Sequence, residues 1–404
     1  MTAIPIKPSP GAGLLKGTAY FVVFLLTLTA WIDSVEFHLR NIGRLSLTSR
    51  IGFILAYLLV GWIVKRFGTG MVLLAGALLS VIAAAGYAFA STWGIIEAFG
   101  LLRGIGGSLV FTGLVIHFTT RFEARSLLWL FACRGTTNII VNGLNDLKLN
   151  VLMTMTWYSG YLLAAIVYGI VVLAFVITRQ FWNLSWFDNI SSDDTLRSNS
   201  ILKSLPVWGS ALLIFLGAGL MTATFIYWTK LAGTSSENIS FDANLFFRYL
   251  VWAVSCASLL AIGFLAHRIN WRIALWFCAG IIIIGSALTG WGASIPVRFA
   301  GDIITALVIQ LLLPVLLLYA KNHIPQAFLP IAIGWLIAVH YTGTALTVGL
   351  LGTASISLNM MVIVALAIAL IVILEIGVRL QNSRKKKHSP EMPQPPTLPP
   401  PEQL

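Results

Sequence analysis

Charge is what this sequence has least of. Only 10% of the 404 residues are charged, fourteen are acidic, and cysteine occurs three times. A water-soluble domain carries roughly 25% charged residues, because its surface must face water. With 58% hydrophobic residues and a mean hydropathy of +0.89, this chain must use lipid as part of its solvent. Cys133, Cys256 and Cys278 each stand alone in an apolar run, without metal-ligand or redox spacing, and read as buried packing. Neither a phosphate-binding Walker loop nor a metal-spaced His/Cys cluster occurs. Neither ATP hydrolysis by this chain nor a bound metal or cofactor is therefore expected. No small-residue cleavage site follows the first apolar run, so that run reads as a retained helix. No catalytic constellation emerges either, so the chain is not expected to be an enzyme.

What the sequence has instead is a succession of long apolar runs. They fall near 17–38, 49–64, 69–91, 94–119, 126–147 and 157–178, and again near 207–229, 244–265, 271–292, 297–320, 327–351 and 355–379. Each suits a membrane-spanning helix, which needs about 20 apolar residues. The polar stretch from Arg179 to Lys203, with Asp188, Asp193 and Asp194, divides the two sets. The expectation is an all-α membrane protein of twelve transmembrane helices in two pseudo-symmetric six-helix halves, 17–178 and 207–379. A short segment, 1–16, precedes them, a linker, 179–206, joins them, and a tail, 380–404, follows. The tail carries Arg384, Lys385, Lys386 and Lys387 and then seven prolines among its last fifteen residues, so it is expected to be disordered.

The net charge of +12 bears on topology rather than on nucleic acid. With both termini in the cytoplasm, seventeen basic residues fall in cytoplasmic segments and six outside, as the positive-inside bias requires. Arg40, Arg44 and Arg50 run against that bias. The short loops suit a bacterial inner membrane. The partners expected are the lipid bilayer and a small-molecule substrate, with the chain a monomer.

Two segments half the chain apart resemble one another. Gly61-Trp-Ile-Val-Lys65-Arg66-Phe-Gly68 follows the second span, and Gly263-Phe-Leu-Ala-His267-Arg268-Ile-Asn270-Trp271-Arg272 follows the eighth. Repeated halves are a transporter signature, because alternating access rocks one half against the other. Here the sequence resembles the major facilitator superfamily, which has a Gly-x-Leu-Ala-Asp-Arg-x-Gly-Arg loop after helix 2 and a weaker copy after helix 8. Gly61, Arg66 and Gly68 fit the first copy; Gly263, Leu265, Ala266, Arg268 and Arg272 fit the second. The resemblance implies that these residues form a cytoplasmic gate. The family's acidic residue is missing from both copies, replaced by Lys65 and His267, which puts its cytoplasmic latch in doubt. Arg103-Gly-Ile-Gly-Gly107 in the fourth span resembles an element of proton-coupled efflux members, in which the arginine faces the central cavity. Close helix packing through Gly100 and Gly104 is the plainer reading of those glycines. The fifth span lacks the Gly-Pro motif of many drug–proton antiporters.

Polar groups within the spans are the other guide, since a charge at mid-bilayer costs about 2.5–3.5 kcal/mol and is seldom idle. In the fifth span Arg134, Asn138, Asn142 and Asn145 fall within roughly 80° of one another at 100° per residue. The stripe reads as cavity lining or as polar contacts between helices. Asp33 stands in the outer half of the first span and reads as a proton carrier or a partner for an arginine. Asp302 lies about as far before its loop in the tenth span as Arg103 does in the fourth. His340 in the eleventh reads as a proton carrier or as a hydrogen-bonded structural histidine. The substrate and proton pathway expected from the sequence is thus Asp33, Arg103, Arg134, Asn138, Asn142, Asp302 and His340. The leading expectation is a secondary transporter that exports a small organic molecule by proton antiport, driven by the proton gradient. Uptake of an anionic nutrient and a non-transporting membrane receptor or enzyme are the alternatives.

Overall fold

Glycine, proline and short polar turns punctuate the apolar runs, and among the described residues the runs between them are helices. The computed structural model describes residues 25, 42–146, 157–178, 205–235, 241–266, 268–292 and 294–388. No strand occurs among them. The first half contributes α1 (Ile42–Phe89), α2 (Trp93–Arg121), α3 (Ala124–Asp146) and α4 (Trp157–Thr178). The second contributes α5 (Leu205–Ser235), α6 (Phe241–Leu265), α7 (Trp271–Trp291), α8 (Ile295–Ile309), α9 (Leu312–His323), α10 (Leu329–Leu351) and α11 (Ile356–His388). These coincide with every expected span but the first, which lies outside the described residues except for Leu25, a helical residue packed on the core.

Three departures from the expected spans have local causes. The second and third spans form the two arms of α1, which meet at Gly68 with φ 79° and ψ 157°. A side chain would be strained at that positive φ, so the bend requires glycine. The tenth span is broken into α8 and α9 at Gln310–Leu311. Pro314 explains the break, because its ring lacks an N–H and crowds the carbonyl four residues back, which is that of Gln310. The last helix continues through Arg384–Lys387 to His388, into the segment expected to be disordered. Lys, Arg and Gln are good helix formers, and the chain reaches Ser389-Pro390 only afterwards.

Among the described residues, seven helices are long and apolar enough to cross a membrane. Large apolar side chains stay exposed along α4, α7 and α11, including Ile170, Leu173, Phe277, Ile284, Ile368 and Val372. In water such surface would drive aggregation, and in a bilayer it faces acyl chains. The chain is a multi-pass membrane protein.

The halves repeat each other in packing as well as in order. In the first, α2 crosses the second arm of α1 where a Cβ on Gly76 would lie 2.8 Å from the Gly106 carbonyl. In the second, α8 crosses α7 where a Cβ on Gly285 would lie 2.8 Å from the Gly301 carbonyl. Ser80 and Thr289 stand one turn beyond Gly76 and Gly285, each donating its hydroxyl to the glycine carbonyl at 3.0 Å. Small residues let the backbones meet at these crossings. The shared crossing aligns Gly106 with Gly301. Arg103 is therefore matched by Arg298, and Asp302 stands opposite Gly107 rather than opposite Arg103.

Candidate functional site

The two halves meet chiefly along two helix pairs, α1 with α10 and α3 with α6. Both pairs begin at the end of the bundle that carries Lys65, Arg66, Arg121, Arg125, Arg268, Arg272, Lys321 and Arg379, the basic end. There a Cβ on Gly61 of α1 would lie 2.6 Å from the Pro330 carbonyl oxygen of α10. One turn on, a Cβ on Gly334 would lie 2.8 Å from the Tyr57 carbonyl. The Trp335 indole donates to the Leu58 carbonyl at 3.2 Å. Across the pseudo-twofold axis Gly263 of α6 faces Arg125 and Leu128 of α3, and the Arg125 guanidinium lies 4.4 Å from the Phe264 ring centre. Lys321 at the end of α9 donates to the Phe122 carbonyl at 2.9 Å.

Gly61 and Gly263 are thus equivalent contacts between halves. Gly68 makes the turn, and Arg66 lies over its neighbour Phe67 at 5.5 Å. Arg268 lies just past α6, its N–H on the Leu265 carbonyl at 2.9 Å. Arg272 does not reach the other half. It forms an ion pair and two hydrogen bonds with Glu375 of α11, within its own half. At this end the Arg125–Phe264 cation–π contact and the Lys321–Phe122 carbonyl bond both join one half to the other. A cation–π contact at an exposed site is worth about 0.5–1 kcal/mol. Phe264→Ala should therefore raise the fraction of molecules open at this end about two- to fivefold. Cys256 sits against Gly135 in the same interface, so its alkylation rate reads the change. Cys278, buried within the second half, is the internal control.

Following these contacts inward leads to a polar and aromatic cluster. Arg134 lies ten residues into α3 and Tyr341 twelve into α10, about 15–18 Å from the closed end at 1.5 Å per residue. That is near the middle of a hydrocarbon core about 30 Å thick. Arg134 Nη2 donates to the Tyr341 hydroxyl at 3.4 Å, and the guanidinium lies 4.4 Å from the Phe111 ring centre. Tyr341 stacks on Tyr57 at 4.7 Å and on Phe53 at 6.2 Å, so rings from both halves form one pile. His340 is 4% exposed, its ring edge-on to Tyr341 at 5.8 Å. Gln310, at the break between α8 and α9, reaches the backbone of Gly135, where its Oε1 lies 2.7 Å from the position of a Cβ. Broken helices in transporters expose backbone dipoles to a bound solute, and this break opens beside Arg134.

The residues expected from the sequence are not all gathered here. Arg134 and His340 are. Asn138 and Asn142 lie one and two turns further along α3, and their side chains fall outside the described set, as does all of Asp33. Arg103 is half-buried eight residues before Phe111 on α2, about 12 Å along the axis. Asp302 points elsewhere. Its Oδ1 accepts from Thr289 of α7 at 2.9 Å, on the side of α8 that packs within the second half. Four participants were missed. Tyr57, Phe53 and Phe111 carry no sequence signal beyond aromaticity, whereas Gln310 is a lone amide four residues before a proline in an apolar run. Glu375 was also missed, although it is a lone carboxylate inside the last expected span.

No family model matches the chain, and no curated protein matches it either. Solved structures do. FucP, the fucose:proton symporter of E. coli, in its outward conformation, superposes with a TM-score of 0.68 at 13% identity, over 88% of this chain and 97% of that one. The human organic anion transporter MFSD10 gives 0.67 at 14% identity over 91% and 100%. The proton:xylose symporter XylE gives 0.67 at 12% identity over 89% and 94%. The chain has the major facilitator fold.

Proposed function

We propose that this chain is a secondary active transporter that exports a small organic molecule in exchange for protons. The observation that carries the reading is Arg134, a cation at mid-membrane between Phe111 and Tyr341, where the two halves meet at the inner face of a closed end. A solute resting on that cluster would touch residues of both halves, which is what couples its binding to their rocking. The basic end is the cytoplasmic one by the positive-inside rule, so this conformation is closed toward the cytoplasm. Export is favoured by the resemblance of Arg103-Gly-Ile-Gly-Gly107 to the efflux element. Uptake of an anionic solute is the second reading, favoured by Arg134 as the charge on the cluster.

Flux in right-side-out and inverted vesicles with an imposed pH gradient tests both. Export predicts accumulation in inverted vesicles, acidic inside, that a protonophore abolishes. Accumulation only in right-side-out vesicles, acidic outside, would favour uptake. Loss of flux in neither orientation on collapsing the gradient would end proton coupling. Asp302 lies outside the Arg134 cluster, but it is a half-buried carboxylate bonded to Thr289 within a span, and on that ground it is proposed as a residue that carries the proton. Asp302→Asn keeps an acceptor for Thr289 but cannot ionise. It should cut gradient-driven flux at least about tenfold, the effect of 1.4 kcal/mol, while solute exchange at equilibrium persists. Equal loss of both would make Asp302 structural.

A further inference from the structure

A groove of about 500 Å³ opens on the outer surface where the start of α7 meets α11, lined by Asn270, Arg272, Ile273, Trp276, Glu375 and Arg379. It lies away from the Arg134 cluster and from the interface between halves. Glu375 is held on one side by the Arg272 fork and by the Trp276 indole N–H, which donates to Oε1 at 2.9 Å. Arg379, one turn further along α11, lines the same groove and is exposed. The Asn270 side-chain oxygen accepts the Arg272 N–H at 3.0 Å, which leaves its amide NH₂ to donate. Two guanidinium groups and one carboxylate give the groove one net positive charge and spare donors.

The walls say which anion belongs there. Ile273 is 62% exposed and Trp276 44%, and Phe277, Val372 and Ile376 continue the exposed apolar faces of the same two helices. Only 22% of the α11 span is buried, so this side of the molecule faces acyl chains. A free phosphate would use the donors and leave the apolar wall empty, while a lipid uses both. We infer that the α7–α11 groove binds the headgroup phosphate of one anionic phospholipid. Arg379, Arg272 and Asn270 would hold the phosphate, and the acyl chains would lie on Ile273, Trp276 and Phe277. The helix that carries Arg379 runs on into Arg384–Lys387, a basic sequence of the kind that attracts anionic lipid. Glu375 keeps the Arg272 fork and the indole in place when the lipid leaves, and sets the affinity below that of a bare arginine pair.

Native mass spectrometry of the purified full chain, with phosphatidylglycerol or phosphatidylcholine added, tests the assignment. The expected result is one tightly retained phosphatidylglycerol that phosphatidylcholine does not replace. Arg379→Gln should lower its occupancy about tenfold, with Arg134-dependent transport still measurable. Glu375→Gln, which removes the competing anion, should leave occupancy equal or raise it. Neutralising Arg384–Lys387 to glutamine should leave the single retained lipid in place. Equal retention of both lipids would overturn the inference. So would displacement of the lipid by inorganic phosphate at millimolar concentration, or binding that survives Arg379→Gln but not loss of the tail cations.

Discussion

Gly61→Ala should yield a protein that folds but rests open at its basic end. The added Cβ would stand 2.6 Å from the Pro330 oxygen and 2.9 Å from the Ile331 nitrogen, both backbone atoms of α10 that no rotamer change can move. Forcing an extra methyl into a packed contact costs about 1–3 kcal/mol. Here the strain can be escaped without unfolding, because the clash is between halves and parting them removes it. That cost is therefore transferred to the conformational equilibrium. At 1.4 kcal/mol per tenfold, the closed-end population should fall about 5- to 150-fold relative to the open-end one. Gly334→Ala, with its Cβ 2.8 Å from the Tyr57 carbonyl, should act the same way. Gly209→Ala and Gly280→Ala meet nothing within 4 Å and should leave the equilibrium alone. Two readouts need no substrate. Alkylation of Cys256 should speed up while that of Cys278 does not. Spin labels on the exposed residues Glu123 and Gln326 should report a longer distance between halves at this end. A monodisperse Gly61→Ala protein with unchanged labelling and distance would mean that the closed contact is not part of the working cycle.

The same glycine shows what the sequence could and could not disclose. Gly61 stands out in sequence as half of a repeated loop motif. The turn of that motif is Gly68, seven residues on, and Gly61 is a point of approach to a helix from the other half. Spans and repeat are legible because burial in lipid imposes apolar runs of fixed length on every helix separately. Which face of a helix meets which neighbour is a property of the assembled bundle, and one chain read alone does not contain it. Arg134 was found because four polar residues share a helix face. Its aromatic partners come from α1, α2 and α10, where nothing distinguishes them from interfacial or core rings. Asp302 was matched to Arg103 by counting from the loops, but the glycine crossings count differently and bring Arg298 into register instead. Glu375 illustrates a third limit. A carboxylate near a span end shows nothing of its partners until the structure places Arg272 and Trp276 around it.

Arg134 carries the second large expected effect. If a solute rests on the Arg134–Tyr341 cluster, Arg134→Ala removes a charged hydrogen-bond donor worth about 1.5–3 kcal/mol. It also leaves Phe111 and Tyr341 facing a void. Initial flux of the transported solute should fall about hundredfold. Arg134→Lys separates charge from shape. Lysine keeps the positive charge but is a hydrated point charge without a planar fork, so it stacks poorly on Phe111 and loses the fixed geometry toward Tyr341 and a solute. With a cation–π contact worth about 0.5–2 kcal/mol at stake, the loss should be intermediate, about tenfold. Tyr341→Phe keeps the ring pile with Tyr57 and Phe53 and deletes only an acceptor 3.4 Å from the guanidinium. That bond is long, so its removal should cost about threefold, less than is usual for a hydrogen bond from a charged group. Because Tyr341 orients Arg134, the double variant Arg134→Lys, Tyr341→Phe should lose less than the product of the single losses. Multiplicative losses would mean that the two residues act separately. Flux that survives Arg134→Ala would make the arginine a bracket between halves rather than a solute contact, and its loss should then show in Cys256 alkylation instead. The ordering of the three single variants thus distinguishes a binding cation from a structural one, whichever direction the solute moves.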